Sequence, residues 1–374
     1  MAKLKSHIVG LIHTDKHPTP WARMILCATC TSVPLLIGYM RGQLGLSIYG
    51  ALAGYLLAIN DHLGLLRHRV IVVSLTFLVL LLGFAAGFFL KDSPITFQMS
   101  VGLVVYWLGI LGGDGDELER GVLFAVLAMI IAFATKRIQL EVVRPIFSYC
   151  LLSLASILVG IPALQLIYDR TPEPYTKIRK SFLKSFQPKI EKHIYATSYT
   201  CATLLATWLA IYFQIERGYW ISITVLLVMR ADRKQSIYKT LQRLIGTACA
   251  VLICDLLLPR EFYPLILISI IALSAFLVPI GLKNNYLFAS FFVTILILLL
   301  LEVASIKHGD TTVAFFRLRA TLIGCTLSLF ATFASKLFAT AYARNSLWYL
   351  KRSAALSENI SFSMIVTDGS KLKR

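Results

Sequence analysis

The chain has 374 residues, of which 57% are hydrophobic and 15% charged, and its mean hydropathy is +0.73. Soluble domains run nearer about 45–50% apolar, so a water-soluble globular class is excluded and a polytopic membrane protein is implied. The formal net charge of +18 then reads as the Lys/Arg excess on the cytoplasmic side of such a protein, not as a nucleic-acid interface.

The first 20 residues, MAKLKSHIVGLIHTDKHPTP, hold a short apolar patch and no small-residue cleavage site, so the first oily run reads as a retained helix and not a signal peptide. Apolar runs follow at 21–40, 44–59, 70–90, 95–111, 121–135 and 146–167. A second set lies at 194–213, 219–229, 236–258, 262–281, 286–303 and 318–341. These predict about twelve transmembrane helices in an all-α membrane protein. CATC (27–30) spells C-x-x-C, but no second pair or His completes a metal site, so no metal and no cofactor is expected.

Lys and Arg set the orientation. With the N-terminus inside, the inner segments carry 25 Lys/Arg and the outer ones 10. Both termini and the central linker are therefore expected in the cytoplasm.

The two sets resemble each other. CAT recurs at 27–29 and 201–203, an offset of 174. RPIFSYCLLSL (144–154) aligns with RATLIGCTLSL (319–329) at an offset of 175. Six helices per half is an even number, so the halves are expected as two parallel six-helix repeats about an axis normal to the membrane. The domains are 1–167, a basic cytoplasmic linker at 168–193, a second repeat at 194–343, and a basic tail at 344–374. Within the linker, Tyr175–Phe186 is a candidate surface helix near anionic lipid, or a plain solvated connection.

The run Tyr219–Met229 is 11 residues long, about 16 Å of helix against a bilayer core of about 30 Å. It stops at Arg230, Asp232, Arg233 and Lys234. Ser236 is a candidate cap for the next helix. Lys239 and Arg243 lie four apart on one face, followed by Gly246 and Thr247. The short run reads as a half-helix ending at a break inside the protein. There the next helix adds its positive end to Arg230, Lys239 and Arg243, which together make an anion site. In the first half, Asn60, Asp61 and His62 take the place of that break. Asp61 and His62 are candidates for proton coupling, against an alternative of a satisfied interfacial pair. Asp232 and Glu302 are further coupling candidates. Arg144 and Arg319 open the last helix of each half as candidate outer gates, while Arg317 is assigned to snorkelling at the outer interface.

Tyr219-Trp220, then Thr224, an apolar run, RADRKQS, and Arg243-x-x-Gly246-Thr247 resemble the FUSC family of fusaric acid resistance and aromatic acid exporter proteins. The specific motif spans 219–247. Ala231 stands where the family often has Pro, and the first half lacks the Tyr-Trp and Gly-Thr elements. The large cytoplasmic domains of longer members shrink here to the linker and tail. The resemblance implies an inner-membrane efflux transporter for organic, chiefly aromatic, carboxylic acids, driven by the proton gradient. It assigns the carboxylate to Arg243 and Lys239, the cytoplasmic mouth to Arg230, the ring to Tyr219 and Trp220, and helix packing to Gly246 and Thr247. Expected partners are the organic acid, the lipid bilayer, a periplasmic adaptor protein and a second copy as homodimer, with no nucleic acid. Related plant anion channels share the six-helix unit, so a passive organic-anion channel is the first alternative. A non-transporting assembly or lipid-binding subunit is the second. No P-loop and no catalytic spacing points to an enzyme.

Overall fold

A computed structural model describes residues 19–61, 64–112, 117–135, 140–168, 190–257, 263–304 and 315–342. His62, most of the linker and the tail from 343 onward lie outside these, as does the side chain of Glu302. Twelve helices and no strand occur among the described residues. In hydrocarbon each backbone polar group needs an internal partner, and a helix meets that need within one segment.

The helices are α1 Trp21–Met40, α2 Leu44–Asn60, α3 Leu66–Phe89, α4 Pro94–Leu111, α5 Glu117–Ala134 and α6 Leu140–Tyr168. They continue as α7 Ile190–Tyr212, α8 Tyr219–Val228, α9 Arg233–Leu257, α10 Pro264–Asn284, α11 Tyr286–Ala304 and α12 Phe315–Tyr342. Eight of them (α1, α3, α4, α6, α7, α9, α10 and α12) are long and apolar enough to cross a membrane. The chain is a multi-pass membrane protein. Its outward faces are apolar and exposed: Leu75, Leu78 and Leu82 line one stripe of α3, and Phe330 and Leu337 stand out from α12.

Small residues let the helices close on one another, as expected where lipid competes equally for apolar side chains. Gly83 and Gly87 lie one turn apart on α3, and a Cβ on either would collide with the carbonyl oxygen of Ala125 or Met129 on α5. Helix α1 packs on α10, and α4 packs on α7. Helices α3 and α5 form one pair and α9 and α11 another. Helix α2 touches α11, and α8 touches α5. The core therefore runs through both halves.

One boundary differs from the sequence reading. Helix α9 begins at Arg233, not Ser236. The Asp232 carboxylate accepts the Gln235 backbone N–H at 3.1 Å, which makes Asp232 the N-cap. Ser236 is fully buried within the first turn and its hydroxyl shares a 2.9 Å hydrogen bond with Thr332 of α12.

Candidate functional site

Helix α8 has 10 residues, about 15 Å at ~1.5 Å per residue, so it is only about half as long as a bilayer core is thick. Its last carbonyls need partners. The Tyr199 hydroxyl of α7 donates to the Leu226 carbonyl at 2.7 Å, and the Arg230 guanidinium donates to the Met229 carbonyl at 3.0 Å. The other end of α8 follows a tight turn in which Gln214 and Arg217 are both left-handed (φ 47° and 54°), a strained state for residues with a side chain. That turn delivers Tyr219 and Trp220, with ring centroids 4.9 Å apart.

Helix α9 leaves the break and carries Arg243 into the core at 1% exposure. The approach of α9 to α11 requires a glycine at 246: a Cβ there would lie 2.7 Å from the Leu287 carbonyl oxygen. At the next residue, the Thr247 hydroxyl faces that of Thr294 at 3.4 Å. The Ser290 hydroxyl donates to the Arg243 carbonyl at 3.2 Å, fixing the backbone from which the guanidinium projects.

These elements enclose a cavity of about 690 Å³ between the two halves. Arg23, Arg120, Arg230, Arg243 and Lys283 line it, together with Tyr49, Tyr55, Tyr219, Trp220 and Tyr286. Among the described residues, no Asp, Glu or His lines it. The first turns of α1 and α5 supply Arg23 and Arg120. Arg230 follows the end of α8, and Lys283 belongs to the last turn of α10. Because consecutive helices alternate in direction, these four cations gather at one end of the bundle. Arg243 lies deeper. Its Nε and Nη2 are buried, and its guanidinium has no hydrogen-bond or ion-pair partner among the described residues. An uncompensated buried charge is costly, so a partner of opposite charge is what this site lacks.

A second such cation was not expected from the sequence. Arg317 is 1% exposed and does not snorkel. Its guanidinium carbon sits 3.7 Å from the Trp220 ring centroid, a cation–π contact. Its Nε, Nη1 and Nη2 find no hydrogen-bond partner among the described residues. It lies within electrostatic reach of Arg243, Tyr219 and Tyr286. Trp220 therefore lines the cavity on one side and covers Arg317 on the other. Only the one-turn spacing of Arg317 to the helix start was visible in sequence, and that signal suits an interfacial arginine equally well.

The other candidate residues are placed as follows. Lys239 does not line the cavity and lies behind Tyr286, with its amine 5.5 Å from that ring. Thr224 donates to the Trp220 carbonyl at 2.8 Å and packs on α12, where a Cβ at Gly324 would lie 2.7 Å from the Thr224 Cβ. Arg144 and Arg319 are exposed and away from the cavity lining. Asp232 is exposed at the head of α9. Asp61 is 2% exposed and receives both Nε (3.0 Å) and Nη2 (2.6 Å) of Arg69, itself 1% exposed. Beside this pair the Asn60 amide donates to Thr76 at 2.6 Å. The first half thus closes its break with an internal ion pair, whereas the second half leaves its deep arginine open to a cavity.

A multi-pass helical membrane protein with a cation-lined internal cavity defines the class. Residues 202–331 match the family described as Fusaric acid resistance protein-like, a stretch that includes the motif at 219–247. An uncharacterized protein of Haemophilus influenzae is 32% identical over 121 residues, covering 32% of this chain and 16% of the relative. The matched stretch is thus a small part of that relative's length. No solved structure matches.

Proposed function

We propose that the chain is an inner-membrane efflux transporter for organic carboxylates of aromatic type, driven by the proton gradient. The observation that carries this reading is Arg243, buried and without a partner among the described residues, facing a cavity whose described charged lining residues are all cationic. A carboxylate placed there would supply the two acceptor oxygens that a guanidinium fork matches. Tyr219 and Trp220 offer flat apolar surface beside it, and the cations at the break end raise the local concentration of anions. That end is assigned to the cytoplasm of a bacterial cell by the Lys/Arg bias, with both termini on the same side.

The paired contacts α1–α10 with α4–α7, α3–α5 with α9–α11, and α2–α11 with α8–α5 support two parallel six-helix repeats. Each pair exchanges with the other when six is added to or taken from every helix number. The cavity would lie on the axis of that exchange. A periplasmic adaptor and a homodimer belong to the same proposal.

One observation favours the passive anion channel as a second reading: among the described residues, no carboxylate or imidazole lines the cavity to carry a proton. Transport that survives an uncoupler and follows membrane potential would select the channel. The test of the anion path itself is export of a panel of radiolabelled organic acids from cells carrying wild type or Arg243→Gln. Export by wild type and its loss in Arg243→Gln are expected. Equal export by both would overturn the assignment.

A further inference from the structure

Trp220 stands between two buried guanidiniums. On one side it lines the cationic cavity, as Arg243 does. On the other it meets Arg317, whose guanidinium carbon is 3.7 Å from the ring centroid. Arg317 lies outside the cavity lining and is 1% exposed. Its Nε, Nη1 and Nη2 have no hydrogen-bond partner among the described residues. A ring face attracts the charge but gives the fork of N–H groups no acceptor oxygens. Arg317 belongs to the first turn of α12 and Trp220 to the first turn of α8. Side chains lean toward the start of their helix, so Arg317 and Trp220 lean to the turn before α8, while Arg243 of α9 leans to the break. Arg217, in that turn, lies beyond them. Its Nη1 is buried without a hydrogen-bond partner among the described residues, and both Arg217 and Arg317 are within electrostatic reach of Tyr219. Cations thus continue past the cavity, and the indole interrupts the row.

We propose that Trp220 is a gate between two anion sites: Arg243 holds a carboxylate on the cavity side, and Arg317 receives it when the indole turns aside. The gate rests on the anion reading above and adds a second site for the same ligand class beyond the cavity. Close contacts hold the backbone on either side of Trp220. A Cβ at Gly218 would lie 2.8 Å from the Ala210 Cβ, and one at Gly324 of α12 would lie 2.8 Å from the Ile221 carbonyl oxygen. Rotation of the side chain therefore opens the way with less displacement than a shift of α8. The exchange is favourable in kind. Arg317 gives up a cation–π contact and gains charge-assisted hydrogen bonds, which are stronger than neutral ones. A carboxylate brings the paired acceptors that match the guanidinium fork. A halide is a single centre and lacks that match, so it leaves the ring in place.

The test is uptake of radioiodide into proteoliposomes holding the full chain, with potassium and valinomycin present so that charge balance does not limit the flux. Wild type should pass iodide slowly. Trp220→Ala should raise iodide uptake about tenfold, because a cation-lined path then stands open. Adding Arg317→Met to Trp220→Ala should return uptake to the wild-type rate, and adding Arg317→Lys instead should keep most of the increase. Trp220→Leu and Arg317→Gln take their places should the first variants not fold. Iodide uptake by Trp220→Ala equal to that of wild type overturns the gate and leaves Arg243 as the anion site. An increase that survives loss of the charge at 317 also overturns the inference, because Arg317 is then a packing residue. Radiolabelled benzoate in the same vesicles judges the underlying reading separately: equal uptake by wild type and Arg243→Gln removes the anion site and the gate with it.

Discussion

Arg243 should be a residue that lowers stability and confers binding, and the two effects can be separated by replacing it with Met. Its Nε and Nη2 are buried with no partner among the described residues. Leaving a polar group in that state costs about 1–3 kcal/mol, more when it is charged, and an apolar side chain of similar length removes the cost. Met is unbranched and adaptable, so it can fill the space beside Ser290 and Tyr286. Arg243→Met should therefore unfold at a higher temperature than wild type when no acid is present. Added aromatic acid should reverse the order, because wild type gains stability from its ligand and the variant does not. The lost contact is a buried charge-assisted pair worth about 2–5 kcal/mol, a weakening on the order of 30-fold to several thousand-fold. The assay is thermal unfolding of the purified protein in nanodiscs at one fixed scan rate, with and without acid. A lower unfolding temperature for Arg243→Met in both conditions would show that Arg243 is a structural residue, and the reasoning would fail.

Asp61→Asn should destabilise the first half by about 3–5 kcal/mol, since it leaves Arg69 buried without its counter-charge; the double variant Asp61→Leu, Arg69→Met should recover most of that loss in the same unfolding assay. Gly246→Leu should abolish stable expression, because even a Cβ there meets the Leu287 carbonyl at 2.7 Å; Gly121→Ala, whose Cβ would meet nothing within 4 Å, is the matched control. Asp232→Ala should cost about 1 kcal/mol as a lost helix cap, with Asp232→Ser restoring stability. If Asp232 instead carries protons, Asp232→Ser will fold normally yet lose the dependence of transport on the proton gradient.

Much of this architecture is legible in the apolar runs, because a helix in lipid must be long, apolar and internally bonded. The short span at 219–229 and the pair Arg243, Gly246 were readable for the same reason: charge and small residues at helical spacing are informative where lipid would otherwise demand bulk. The cap was misassigned because Ser236 and Asp232 are both good cap residues, and only the hydrogen bond to Gln235 decides between them. Arg317 escaped because its partner, Trp220, lies 97 positions earlier (317 − 220) and the contact is made only when α12 packs on α8. The wall supplied by Tyr49 and Tyr55 was hidden for a related reason. Nothing local in α2 reports that it will face α11 across a cavity.

The proposed transport requires organic anions to cross the membrane through the cavity around Arg243. Uptake of a radiolabelled aromatic acid into proteoliposomes holding only the purified protein tests it most directly, with wild type, Arg243→Gln and empty liposomes side by side. Saturable uptake by wild type is expected, with uptake by Arg243→Gln no greater than that of empty liposomes. Uptake by Arg243→Gln equal to wild type would contradict it.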